Sequence, residues 1–114
     1  MKDTVILITH EGMGYSNDLY QLPFTLLGKY FDLLLSGDSL PNAICFYTDG
    51  VKMTIDTSPV LAQLKALEAK GVRLIVCSTC LEAFGLTKRV QVGIIGGMPD
   101  IIEAQTNANK VITL

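Results

Sequence analysis

The sequence predicts a single α/β domain, residues 1–114, built on a mainly parallel β-sheet with helices on both faces. Three observations predict it. Short apolar runs rich in β-branched residues recur along the chain, stretches of helical apolar spacing separate them, and Gly, Pro, Ser or Asp punctuates each change of pattern. Strands alternating with helices make βαβ units, whose crossovers are right-handed.

Thr4 to Thr9 is apolar on both faces, as a central parallel strand is. A glycine-bearing loop, His10 to Gly14, follows. Leu19, Leu22, Leu26 or Leu27, Tyr30, and Leu33 or Leu34 recur at helical spacing. Pro23 interrupts that pattern, so the helix starts late or bends there, and Ser36-Gly37-Asp38 ends it. Ala43 to Tyr47 is the second strand, with Cys45 as a core residue. Thr48-Asp49-Gly50 turns the chain. Ser58 as cap and Pro59 at the first helical position open the next helix, with Val60, Leu61, Leu64 and Leu67 on one stripe and Gly71 as its stop. Val72 to Val76 is the third strand. Thr79 and Glu82 have capping-box spacing, which predicts a short helix from Cys80 to Gly85. Another short helical piece follows at Thr87 to Val90. Gly93 to Gly96 is a fourth strand, Pro99 opens a last helix to about Asn107, and Val111 to Leu114 is a fifth strand.

Composition narrows the function. Formal net charge is -2, from 9 basic and 11 acidic side chains, and no basic run tracks a phosphate backbone, so nucleic acid is not an expected partner. No apolar run approaches the ~20 residues of a membrane span. The N-terminus lacks the apolar stretch and cleavage site of a signal peptide, which makes a cytoplasmic location the expectation. Hydrophobic residues nonetheless make up 49% of the chain. That surplus goes into the core or into contacts with other subunits, so a homo-oligomer is expected.

The candidate chemistry lies on Cys77 and Cys80. In an open parallel sheet, ligands bind beyond the carboxyl ends of the strands. Those ends are His10–Gly14, Thr48–Thr54, Cys77–Cys80 and Gly96–Met98, and a Cys-x-x-Cys pair stands among them. Cys80 in the first turn of a helix would have its thiolate stabilised by free N–H groups and the helix dipole. Such a thiolate attacks a disulfide or a sulfane sulfur. The opposing reading makes both residues small buried hydrophobes. His10 is a candidate base, and Gly50, Thr79 and Met98 are candidate substrate contacts on the same edge. Lys88 and Arg89 are cations near the pair in sequence. Glu11 and Asp49 can be read as paired carboxylates, with a solvated-loop role the simpler one. Structural zinc wants four ligands. Beyond the pair the chain has only His10, acidic side chains and a core Cys45, so no metal and no cofactor are expected. Gly12-Met13-Gly14 lacks the third glycine of a dinucleotide fingerprint, and Gly93 to Gly97 lacks the Lys and Ser/Thr of a P-loop.

Cys77-Ser78-Thr79-Cys80-Leu81-Glu82-Ala83-Phe84-Gly85-Leu86 carries a specific resemblance. Thr48 to Met53, Leu64 to Val72 and Ala108 to Ile112 support it. The chain resembles the DsrE-like family nearly end to end, most closely the DsrE-like domain of YedF-type proteins of selenium and sulfur metabolism. The resemblance implies a three-layer α/β/α sandwich with a five-stranded, mainly parallel sheet, assembled as a trimer or hexamer. It also implies a sulfur-relay role, that of a sulfurtransferase-like persulfide carrier on Cys77 or Cys80 with sulfur donor and acceptor proteins as partners. Two other readings stand beside it: a thiol–disulfide redox pair and a non-catalytic oligomeric interaction module.

Overall fold

A computed structural model describes residues 1–114. Five strands, β1 (Thr4–Ile8), β2 (Ala43–Phe46), β3 (Arg73–Cys77), β4 (Ile94–Gly96) and β5 (Lys110–Thr113), form one sheet in the order β4-β3-β2-β1-β5. Every pairing is parallel. β1 and β2 are buried along their whole length, as their uninterrupted apolar sequences require. Four α-helices connect or cover the strands: α1 (Leu22–Ser36), α2 (Leu61–Ala69), α3 (Ser78–Phe84) and α4 (Met98–Asn107).

Strand order explains the layering. From β1 to β4 each strand lies beyond the last in one direction, and β5 then returns to the far side of β1. With right-handed crossovers, α1 and α2 share one face and α4 lies on the other, making the three-layer sandwich. α1 and α2 indeed meet, with Lys70 Nζ 3.4 Å from the Leu35 carbonyl at their ends. Leu27 and Phe31 of α1 and Leu64 and Leu67 of α2 are sealed in the core, and Ile101 and Ala104 are the buried residues of α4.

Several boundaries differ from the sequence expectation. α1 takes the late start that Pro23 allowed: it begins at Leu22, with Pro23 in the first turn, where its missing N–H costs nothing. Leu19 and Tyr20 fall outside the helix and are exposed. α2 begins at Leu61 rather than at Pro59. Ser58 still acts at its entrance, its Oγ accepting the Val60 N–H at 3.2 Å. α3 starts at Ser78, two residues before the expected Cys80, because β3 runs straight into it with Cys77 as both last strand residue and N-cap. The Thr79–Glu82 capping box therefore does not form, since Thr79 is already inside the first turn. Gly85 closes α3 in the left-handed conformation (φ 69°), donating its N–H to the Glu82 carbonyl at 3.1 Å. Thr48-Asp49-Gly50, read as a turn, opens a two-turn 3-10 segment that runs to Thr54.

Cys45 lies fully buried in β2 and its thiol is pushed up to about 11 by burial, with the Arg73 charge a smaller opposing influence. The folded chain thus holds this proton more tightly than the unfolded chain does. The resulting stability is complete below the unfolded thiol pKa of about 8.5 and falls as pH rises toward the folded value. Each pH unit within that window removes about 1.4 kcal/mol. Urea midpoints at pH 8 and pH 10.5 should show a larger loss in the parent chain than in Cys45→Ala, where Cys80 and Tyr30, both pushed up by burial, still contribute. An equal loss in both would assign the alkaline sensitivity elsewhere.

Candidate functional site

The parallel register brings the carboxyl ends of the strands to one edge, with Cys77 of β3 opposite Gly96 of β4. Cys77 is 1% exposed and belongs to the core cluster. Cys80, at the third position of α3, is half-buried, and its thiol accepts the backbone N–H of Thr48 at 3.1 Å. Cys77 is therefore enclosed, whereas Cys80 keeps part of its surface in solvent.

Thr48 is the only non-glycine residue with a left-handed backbone (φ 52°). That conformation costs roughly 1–2 kcal/mol for a residue with a Cβ. It carries the chain from β2 directly into the 3-10 segment while its N–H meets α3. The segment is anchored beneath by Tyr47 N–H on the Ile8 carbonyl (3.1 Å) and Gly50 N–H on the Tyr47 carbonyl (3.0 Å). Gly50 is buried, and a Cβ there would collide with the Ile8 carbonyl. Its place is a close backbone approach that positions Thr48, not a lining of the open edge.

On the 3-10 segment, Lys52 bonds Asp49 Oδ1 at 2.8 Å and stands 4.4 Å from the centroid of Phe84, one helical turn beyond Cys80. The Asp49 hydrogen bond holds Lys52 above the usual ammonium range. Glu11 adds to that field, so Glu11 and Asp49 both face Lys52 instead of forming an acid–base pair. Arg89 is engaged elsewhere, 2.7 Å from Asp56. Thr48, which meets Cys80, and Lys52, which meets Phe84, are the neighbours of α3 that residue-by-residue reading overlooked. The Thr48-Asp49-Gly50 turn signal marked their loop, but only the sheet order shows that β2 ends beside β3.

The electrostatics of Cys80 run opposite to the expected helix-terminus effect. Burial pushes the thiol up first, the neighbouring Cys77 thiol adds to that, and the Thr48 N–H only partly opposes them. Two turns of helix with no capping side chain give little compensating field.

The remaining candidates are spread along the edge. His10 stacks at a tilt on Tyr15, ring centroids 5.5 Å apart, and lines a cavity of about 400 Å³ with Asp49. A second cavity of about 470 Å³ contains Lys52 and Arg89. The two share Glu11, Tyr20 and Phe24, so they form a groove beside the 3-10 segment, and neither cysteine lines it. Thr79 is exposed in the first turn of α3. Met98 is exposed at the start of α4, on the β4 side of Cys77, and lines neither half of the groove. No three His, Cys, Asp or Glu side chains cluster to hold a metal ion, and no helix is long and apolar enough to cross a membrane.

Comparison with known proteins places this architecture. No curated protein matches the chain. Three solved structures share the fold. MTH1491 of Methanobacterium thermoautotrophicum, described as a protein of unknown function, has a TM-score of 0.70 at 22% identity over 97% of each chain. The ychN protein of E. coli has a TM-score of 0.62 at 17% identity, covering 97% of this chain and 98% of its own. BT1422 of Bacteroides thetaiotaomicron, a conserved protein of unknown function, has a TM-score of 0.63 at 16% identity over 98% and 95%. A family model matches residues 5–114, nearly the whole length, and by that match the chain belongs to the DsrE/DsrF-like family.

Proposed function

We propose that the chain is a sulfur-relay protein that carries a sulfane sulfur as a persulfide on Cys80 and passes it to an acceptor thiol. The observation that carries this reading is the half-buried Cys80 thiol, open at the carboxyl edge of the sheet and already receiving the Thr48 N–H. A persulfide places its terminal charge about 2 Å beyond Sγ, away from the burial that suppresses ionisation of Sγ itself. Cys77 is too enclosed to meet a donor protein, so Cys80 is the loading site. His10, Thr79 and Met98 on the same edge are the residues a docked partner would touch, and donor and acceptor proteins are the partners this chemistry requires. The three free cysteines suit a reducing, cytoplasmic setting. Cell fractionation that finds the chain in an oxidising compartment would count against that location.

Exposure to a sulfane donor should add about 32 Da, removable by dithiothreitol, at roughly one sulfur per chain. Cys80→Ser should abolish the gain, and Cys77→Ala and Cys45→Ala should keep it. A gain that survives Cys80→Ser sinks the assignment.

The apolar surface favours assembly. Ile94 (68% exposed), Ile95, Met98 and Ile102 stand open around β4 and α4, and Val111 is exposed on β5 at the opposite sheet edge. Edge strands with open apolar side chains seek partners. A trimer or hexamer is the assembly we propose, and sedimentation at the mass of a single 12.4 kDa chain would overturn it.

A further inference from the structure

We infer that Cys77 gives this site a second activity, the reductive release of the carried sulfur: Cys77 attacks the persulfide on Cys80, expels hydrogen sulfide and leaves a Cys77–Cys80 disulfide. The inference rests on the persulfide reading above and extends it.

Placement of the two residues carries it. Cys77 is the N-cap of α3 and Cys80 its third residue. Those are the positions whose side chains and backbones reach each other across a helix entrance, with Cβ atoms of such neighbours about 5–6 Å apart. A disulfide needs them at about 3.5–4.5 Å, a closure that a small adjustment of the first turn supplies. The Cys77 thiol is near enough to Cys80 to push its pKa up. At 1% exposure, Cys77 is shielded from donor and acceptor proteins, and Cys80 is the sulfur it can reach. A buried thiol beneath a sulfur-loading thiol is not needed by a simple carrier. It is what a site needs to discharge a sulfur that no acceptor has collected.

The step balances. The Cys77 Sγ–Cys80 Sγ bond forms and the bond from Cys80 Sγ to the outer sulfur breaks. The proton of the Cys77 thiol leaves with the hydrosulfide as hydrogen sulfide. The two cysteine thiols together supply the two electrons that reduce the sulfane sulfur. Attack on the outer sulfur would instead expel Cys80 as a thiolate, which its burial opposes, so hydrosulfide is the better leaving group. A dithiol reductant, small or protein-borne, returns the pair to its starting state. Persulfide transfer and sulfide release then compete, and the presence of an acceptor decides between them.

A single-turnover experiment tests this. The chain is loaded with inorganic polysulfide, freed of excess, and incubated without reductant while sulfide and intact mass are followed. The parent chain should release about one sulfide per loaded chain and finish about 2 Da below its reduced mass. Cys77→Ala and Cys77→Ser should hold the adduct and release sulfide at least about tenfold more slowly. Using two replacements guards against one that disturbs packing at this buried position, and circular dichroism confirms the fold of each. Equal retention by parent and variants overturns the inference and leaves the carrier reading standing. Failure of the parent chain to load overturns both.

Discussion

Gly50→Ala is expected to destabilise the chain by about 3 kcal/mol, the upper end of ordinary overpacking costs. The added methyl would land on the carbonyl oxygen of Ile8, which is main chain and cannot swing aside. The same carbonyl accepts the Tyr47 N–H at 3.1 Å, so relief by moving β1 breaks the junction of β1 and β2. Relief by moving the 3-10 segment displaces Thr48 and withdraws its N–H from Cys80. The variant should therefore lose stability and alter thiol reactivity together. Gly28→Ala is the control. It lies within α1, where a Cβ would meet only Gln63 Nε2 at 3.8 Å, and there alanine should stabilise by roughly 0.5–1 kcal/mol. Urea midpoints of the two variants against the parent decide the matter. A Gly50→Ala chain within about 1 kcal/mol of the parent would show that the close approach relaxes at little cost.

The contrast between these glycines shows what residue patterns disclose and what they leave hidden. The five strands, the helices between them and their common parallel direction follow from apolar periodicity and punctuation, because those features depend on neighbours within a few residues. The late start at Pro23 followed from its missing N–H, whereas the α2 boundary moved from Pro59 to Leu61, since Ser58 and Pro59 fit either a helix entrance or the turn before it. The α3 start moved for a different reason. Thr79 and Glu82 satisfy a local capping rule, but burial of Cys77 continues β3 to the helix with no loop for a cap to occupy. The site itself divides along the same line. Cys77 and Cys80 are visible as a spaced pair, whereas their unequal exposure is a tertiary fact. Gly50 looked like part of an open loop and is instead wedged on β1, a neighbour 42 residues earlier in the chain. Thr48 reaches Cys80, and Lys52 reaches Phe84, only because β2 lies beside β3.

Alkylation of Cys80 by iodoacetamide should keep climbing with pH past the ordinary thiol pKa of about 8.5, where a free cysteine levels off. The reacting species is the thiolate. Burial and the Cys77 thiol raise the Cys80 pKa, so at neutral pH a smaller fraction is ionised than in a free cysteine, and the fraction keeps growing beyond the pH at which a free cysteine saturates. The rate at pH 7 should accordingly fall below that of a cysteine in a short peptide. Cys77 and Cys45 should stay unmodified over the same interval while the fold persists, because neither sulfur is open to the reagent. Cys77→Ala removes one of the upward influences and should shift the profile to lower pH, whereas Cys45→Ala should leave it in place. Displacement of the Thr48 N–H, as in Gly50→Ala, removes the opposing hydrogen bond and should shift it to higher pH. A plateau below pH 8 in the parent chain would mean that the thiolate is stabilised after all and that the helix entrance outweighs burial. The sulfur chemistry follows the same ordering: a thiol that is mostly protonated at rest loads slowly unless a docked donor brings a base or a positive charge beside it. Donor-dependent loading at pH 7 that outpaces iodoacetamide, with both converging toward alkaline pH, is the expected signature of a relay thiol activated by its partner.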